Sequence, residues 1–275
     1  MRGTRASRVT TQLVLLLLAI VFLVPLAYIF FSSLKSPEEA LQIPQTFLPR
    51  QWSLENYANV LNGGQFGAYF WNSIVITVGG VLLTTAAAAM AGYGFARLPF
   101  RGQGLLLTLI LLTMTIPLVI FLVPMFLMED NTGLLNTQLG LILPNVALHL
   151  PLTILIMRAA FLAIPKEIEE SATMDGAGIF RTWLTVMLPM ARNGVVLCLV
   201  VTTYQTWGEY TLAKTLAIDP PAMPLTVGLT LLKGEVWDFG TLSAVIVLAI
   251  LPPIIAFIIF QKHIVAGVAQ GAIKG

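Results

Sequence analysis

Five stretches of this chain run for more than twenty residues without Asp, Glu, Lys or Arg: 9–34, 56–96, 102–128, 131–157 and 239–261. A helix rises about 1.5 Å per residue and the hydrocarbon core of a bilayer is about 30 Å thick, so about 20 apolar residues suffice to cross it. A sixth stretch, 193–208, has only 16 residues. It becomes a span only if Glu209, and with it Lys214, lies in the membrane or at its edge. The predicted spans are 12–31, 70–95, 104–128, 139–161, 194–217 and 239–260.

Composition agrees. Charged residues make up 10% of the chain and hydrophobic ones 57%, whereas a soluble domain carries about 25% charged residues. This excludes a soluble enzyme, a nucleic-acid binder and a disordered chain. Barrel strands alternate in polarity over about 10 residues, but Leu13 to Leu18 and Leu105 to Leu112 are nearly unbroken apolar runs. The expected fold class is therefore all-α, with six transmembrane helices. The first apolar run exceeds the usual 7–15 residues of a signal peptide and has no clear cleavage site, so it reads as a retained anchor. The single cysteine, Cys198, allows no intrachain disulfide and no Cys-based metal cluster.

The membrane potential and anionic lipids hold cations on the cytoplasmic side. One alternate set of segments holds Arg2, Arg5, Arg8, Arg97, Arg101, Arg158, Lys166, Arg181, Arg192, Lys262 and Lys274, out of 15 Lys and Arg in all. Both termini are thus expected to be cytoplasmic. Glu38, Glu39, Glu55, Glu129, Asp130, Asp219, Glu235 and Asp238 fall in the opposite, outer set.

The inner loop between spans four and five is the longest and carries the most informative pattern. Pro165 can open a helix, with Glu167, Glu169 and Glu170 in its opening turns, where the helix dipole favours anions. Asp175-Gly176 signals a turn in which Gly176 takes a positive φ. A second helix is predicted from Gly178 to Met187, stopping at Leu188-Pro189. Ile179, Phe180, Trp183, Leu184 and Met187 form an apolar stripe on it. Such a stripe can rest on lipid headgroups or dock into a cytoplasmic partner.

Glu170-Ser171-Ala172, three residues, Gly176, nine residues and Val186-Met187-Leu188-Pro189 resemble the EAA loop of ATP-binding-cassette import permeases. Ser171 stands for the second Ala of that pattern and Val186 for an Ile. Trp71-Asn72-Ser73, Gly92-Tyr93-Gly94-Phe95-Ala96-Arg97, Gly133 to Thr137 and the tail ending Gly271-Ala272-Ile273-Lys274-Gly275 look like the carbohydrate-uptake branch. That tail is similar to the shorter permease subunit of the maltose importer. Trp207-Gly208-Glu209 departs from the family's Trp-Asn-Glu.

The resemblance implies a type I importer permease fold in a prokaryotic inner membrane. It divides the chain into an anchor helix with the first external loop over 1–69, a permease core over 70–262 with the coupling loop at 165–189, and a cytoplasmic tail over 263–275. It also implies a second permease subunit, two ATPase subunits and an external sugar-binding protein as partners. ATP-driven closure of the ATPases would move the coupling loop and switch the path between inward- and outward-facing states. Glu170, Ser171, Ala172, Asp175, Gly176, Phe180, Leu188 and Pro189 would carry the ATPase coupling. The chain has no G-x-x-x-x-G-K-[ST] and no H-E-x-x-H, so it is not expected to be an enzyme or to hold a cofactor or metal. ATP and Mg would be bound by the ATPase partners.

Tyr204, Gln205, Trp207 and Glu209 are candidates for a substrate path, since aromatic and amide groups can stack on and hydrogen-bond a sugar. The alternatives are an aromatic belt for the rings and an interfacial or Lys214-paired carboxylate for Glu209. His149 reads as a satisfied packing residue. Ala88 and Gly92 form a small-x-x-x-small pair that allows close helix approach. The solute read this way is a di- or oligosaccharide, with glycerol phosphate or another small polar solute as the alternative, and a partner-independent channel as a further one.

Overall fold

A computed structural model describes the backbone of residues 5–232 and 239–272, and the side chains of 10–231 and 239–261. The segments 1–4, 233–238 and 273–275, with the sequence readings that fall on Arg2, Glu235, Asp238 and Lys274, lie outside the described residues, as do the side chains of the 263–275 tail. The described chain is nearly all helix. In order come α1 (Arg5–Ser33), α2 (Pro37–Ala40), α3 (Glu55–Asn62), α4 (Phe66–Arg97), α5 (Gln103–Thr113), α6 (Leu118–Thr132) and α7 (Gln138–Leu162). Then follow α8 (Lys166–Met174), α9 (Ile179–Thr182), a π-helical turn (Trp183–Met187), α10 (Leu188–Met190), α11 (Arg192–Trp207), α12 (Thr211–Leu216), α13 (Leu225–Leu232) and α14 (Phe239–Ala272). Among the described residues there is no strand, only an antiparallel bridge between Lys35 and Trp52.

Four of the predicted spans are single helices: Thr10–Ser33, Phe66–Arg97, Gln138–Leu162 and Phe239–Gln261. The predicted span 104–128 falls on two helices, Gln103–Thr113 and Leu118–Thr132, which meet at 96°. Ile179–Met190, which lies in the predicted inner loop, meets Arg192–Trp207 at 76°. Among the described residues the count is four, or up to six if each bent pair is one span. The first break lies at Pro117, the N-cap of α6, which has no N–H for the preceding turn and disfavours helical backbone at Ile116. Pro124, Pro144, Pro151, Pro252 and Pro253 lie inside helices that continue through them.

The helix at the predicted fifth span is shorter than 194–217. Helix α11 stops at Trp207 with Gly208 as its cap, and the chain resumes as α12. The reason is Glu209, whose carboxylate accepts the N–H groups of Leu212 (2.7 Å) and Ala213 (2.8 Å) and so starts a new helix.

The described chain forms two compact units. One comprises residues 1–67 and 230–251. Its centre is the buried Asn56, which donates to the carbonyls of Ser33 (3.1 Å) and Lys35 (2.8 Å). Glu39 is also buried and accepts from the Thr46 hydroxyl and from the N–H groups of Arg50 and Gln51. Lys35 Nζ donates to the Thr46 carbonyl at 2.5 Å. The most apolar window of α1 is wholly unburied, as expected of a surface meant for lipid or for other subunits.

The other unit comprises residues 68–229 and 252–275. Its core joins Ala88, Ala89 and Tyr93 of α4 to Met157 and Phe161 of α7, Met187, and Cys198 of α11. Small residues bring the backbones close. A methyl on Gly92 would sit 2.6 Å from Met157 Cβ and 2.9 Å from the Arg158 nitrogen, and one on Gly194 would sit 2.5 Å from Ala160 Cβ. Along α7, the residues Leu141, Asn145, His149, Thr153, Met157 and Phe161 recur every fourth position and are all buried. That spacing puts a polar middle on the protein-facing side of a helix otherwise apolar all round.

Glu129 does not lie in an open outer loop. It is buried, 1% exposed. Gly133 turns the chain with φ +71 and the following segment folds back over α6, so that a methyl on Gly140 would be 2.8 Å from Glu129 Oε2. The acid side chain is enclosed by this reversal rather than displayed to solvent.

Candidate functional site

Residues 165–189 fold as two short helical pieces around a tight turn. Pro165 is the N-cap of α8, and Glu167 and Glu169 lie in its first turn. The helix ends at Met174. Gly176 takes φ +79, and its N–H and that of Ala177 bond back to the carbonyls of Thr173 (3.0 Å) and Ala172 (3.0 Å). This closes the helix end in the left-handed manner that glycine allows without a Cβ penalty.

The second piece is longer than its predicted end. The π-helical turn Trp183–Met187 bonds the Leu188 N–H to the Trp183 carbonyl, and α10 carries the helix through Pro189 to Met190. A proline needs no N–H partner in the first turn of a new helical stretch. The Leu188-Pro189 pair therefore marks a change of hydrogen-bond register, and the chain direction changes only at Ala191.

The apolar stripe divides. Met187 is wholly buried and Trp183 half-buried, while Ile179, Phe180 and Leu184 are exposed, together with Met174 at 88%. The exposed members flank the Gly176 turn, and Phe180 and Trp183 stack with ring centroids 5.4 Å apart. Glu170, Ser171, Ala172 and Asp175 lie around the same turn; Glu170, Ser171 and Asp175 are exposed and Ala172 partly covered. The Ser171 hydroxyl is spent on the Glu167 carbonyl at 2.7 Å.

Sequence reasoning missed how this loop is seated. Glu169 faces inward. Its Oε1 accepts from the Tyr93 hydroxyl at 2.5 Å, and its Oε2 lies 3.5 Å from Arg97 Nε. Arg97 also donates to the carbonyls of Phe161 and Ile164 at the end of α7. Arg158 donates to the Phe95 carbonyl at 3.2 Å, and Gln103 to the same oxygen at 2.7 Å. The cations that set the predicted orientation thus also satisfy helix-terminal carbonyls, which favour positive charge. Tyr93 and Arg97 stood in the family-like Gly92 to Arg97 stretch, but their partners are 64 to 76 residues away, beyond any local pattern.

At the other end of the same unit, the Asn72 amide donates to the carbonyls of Pro221 (2.8 Å) and Met223 (3.0 Å). The Ser73 hydroxyl accepts the Leu225 N–H at 2.8 Å, at the start of α13. Gln138 donates to Asn72 Oδ1 at 2.8 Å. The Trp71-Asn72-Ser73 stretch thereby fastens segment 221–225.

The residues read as a substrate path are not one cluster. Gln205 lines a cleft of about 670 Å³ with His149 and the break between α5 and α6. Trp207 packs edge-on against Phe70, with centroids 5.8 Å apart, and lines a different cavity with Pro252 and Phe260. Tyr204 is 68% exposed. The Glu209 carboxylate caps α12, beside Asn145 and Thr206. His149 is buried, but its Nε2 has no hydrogen-bond partner among the described residues, so it is not a satisfied packing residue.

Residues 83–270 match the family model described as binding-protein-dependent transport system inner membrane component. The chain belongs to that family. Over 94% of this permease and 87% of the relative, it is 35% identical to the diacetylchitobiose uptake system permease protein NgcG of Streptomyces coelicolor. Over 92% and 93% respectively, it is 32% identical to the trehalose transport system permease protein SugB of Mycobacterium tuberculosis. Its fold matches a chain in the crystal structure of a bacterial ABC transporter involved in import of the acidic polysaccharide alginate. That match has a TM-score of 0.82, 26% identity, and coverage of 95% of this chain and 99% of the other.

Proposed function

We propose that this chain is one of two permease subunits in an ATP-driven, binding-protein-dependent importer of a di- or oligosaccharide. The observation that carries this is the 165–189 segment. It is held rigidly at its base by Tyr93, Arg97 and Glu169 and exposes Met174, Ile179 and Phe180 around the Gly176 turn. An apolar tip on an anchored base is what a moving partner needs to grip; a tip that slid would transmit nothing.

In this reading both termini and the 165–189 loop are cytoplasmic, in a prokaryotic inner membrane, as the placement of Lys and Arg favours. The EAA-like residues, among them Glu170, Ser171, Ala172, Asp175, Gly176, Phe180, Leu188 and Pro189, form the ATPase-coupling element. Two ATPase subunits bind ATP and Mg and supply the energy; this chain supplies no catalysis. An external sugar-binding protein delivers the solute to the outer loops. The anchor region 1–69, the core 70–262 and the tail 263–275 keep the roles the family resemblance gives them. Sugar is favoured because relatives that match nearly the whole chain are named for diacetylchitobiose, trehalose and arabinooligosaccharide transport.

The test is assembly. The chain, tagged and co-expressed with the second permease and the ATPase of the proposed importer, should bring down both and, in proteoliposomes, move a labelled sugar only with ATP and the binding protein. Uptake without ATP, or purification without an ATPase, would sink the reading.

A further inference from the structure

The cleft between the α5–α6 break and α7 is built differently from the exposed apolar surface around it. Its volume of about 670 Å³ falls in the range of roughly 300–1,000 Å³ typical of small-ligand sites. Most of its lining is apolar, yet four polar features converge on it. His149 is only 6% exposed, and its Nε2 has no partner among the described residues. The Gln205 side chain is exposed and reaches the same cleft from α11. Thr113 lines it from the end of α5. Pro151 lines it too and has no N–H to offer the Ala147 carbonyl, also in the lining, so that oxygen lacks its helical donor.

Depth points the same way. His149 is near the middle of the 25-residue α7, about 17 Å from its start and about 20 Å from its end at the α-helical rise. The α5–α6 break adjoins it, and Leu118, the first residue of an α6 that has no side-chain cap, lines the cleft. Non-helical backbone at membrane depth persists where it lines a protein cavity, and broken helices mark solute sites in transporters. An orphaned buried imidazole costs free energy unless something bonds it. A hydroxyl-rich ring, with one apolar face and hydroxyls at its rim, meets both the apolar wall and the scattered donors and acceptors. Among the described residues no Asp, Glu, Lys or Arg lines the cleft, so this chain offers a phosphate or carboxylate there no counter-charge for its desolvation.

We propose that this cleft is the share of the solute site contributed by this chain, with His149 and Gln205 as its hydrogen-bonding groups, and that the solute is an uncharged sugar. The inference rests on the importer reading above and goes beyond it by placing the sugar at His149 and excluding anionic solutes.

The test uses the assembled importer with its binding protein in proteoliposomes. Labelled N,N′-diacetylchitobiose, trehalose, an arabino-oligosaccharide and glycerol 3-phosphate serve as probes. His149→Leu keeps bulk and removes the hydrogen bond; His149→Gln keeps a hydrogen-bonding group. For the transported sugar, His149→Leu and Gln205→Leu should each lower the uptake rate about tenfold at equal membrane abundance, and His149→Gln should recover most of it. If His149→Leu transports the sugar at the wild-type rate, or His149→Gln is as impaired as His149→Leu, the placement is overturned while the importer reading stands. If the wild type moves only glycerol 3-phosphate, the uncharged-sugar inference is overturned. If it moves none of the four with ATP, the importer reading fails, and this inference with it.

Discussion

The Tyr93 hydroxyl donates a 2.5 Å hydrogen bond to Glu169, across 76 residues of chain. With Arg97 on the other carboxylate oxygen, this fixes α8 to the ends of both α4 and α7. A hydrogen bond to a charged group contributes about 1.5–3 kcal/mol. A double-mutant cycle of Tyr93→Phe and Glu169→Gln, read by thermal unfolding of the purified complex, should give a coupling energy of that order. Additive effects would mean that the contact does not hold the loop. Uptake should drop in each single variant while the ATPase still co-purifies.

Gly176 has φ +79 with open space around the position of a Cβ. The penalty for a side chain there is conformational, about 1–2 kcal/mol for most L residues and less for Asn. Gly176→Leu is therefore expected to lower ATPase co-purification and uptake about tenfold while leaving membrane insertion intact, and Gly176→Asn to keep a substantial part of both. Equal uptake by wild type and Gly176→Leu would remove this turn from the coupling element.

Gly92 meets backbone, not a flexible side-chain tip. Overpacking of this kind costs about 1–3 kcal/mol. Gly92→Ala should lower the thermal midpoint of the detergent-purified complex, whereas Gly94→Ala, where nothing lies within 4 Å of the added methyl, should leave it nearly unchanged. The opposite order would contradict the close α4–α7 approach.

Burial alone would raise the Glu39 carboxyl. The Arg50 N–H, the Thr46 hydroxyl, the Gln51 N–H and nearby Lys35 outweigh it and hold the group below its ordinary value of 4.5. A depressed carboxylate stabilises the fold above its unfolded pKa, and that contribution is lost as pH falls through the folded one. The hydrogen-exchange protection of segment 36–52, taken relative to the intrinsic rate at each pH, should therefore be high at neutral pH and fall below about pH 4.5. Glu39→Gln should be less protected at neutral pH and show a flatter dependence of protection on pH. Wild-type protection that stays constant down to about pH 3 would refute the role given to this carboxylate.

How far the sequence reaches can be judged from particular residues. Charge-free runs are long-range consequences of one solvent, so the helices around Leu15, Thr84 and Leu150 were legible without knowing any contact. The Gly176 turn was legible because it is local chemistry. The early stop of α11 was not, because Glu209 looks like a charge to be tolerated until its oxygens are seen capping α12. Glu129 looks like a loop acid until Gly133 folds the chain over it. The Glu169 seat and the His149 cleft depend on partners brought together only by packing; their signals, a Tyr and an Arg on one helix and a His at the middle of another, are ambiguous in one dimension.

The Asn72 clasp has a consequence for how the protein is made. Asn72 bonds carbonyls 149 and 151 residues later in the chain. A ribosome delivers residues in order, at roughly 5–20 per second, so Asn72 must wait many seconds before Pro221 and Met223 exist. Throughout that interval α4 and α7 have to persist in the bilayer with this end unfastened. The clasp can close only after α11 has been made, which makes it a late step of biogenesis: a chain ending before Pro221 would lack both carbonyls and never be latched.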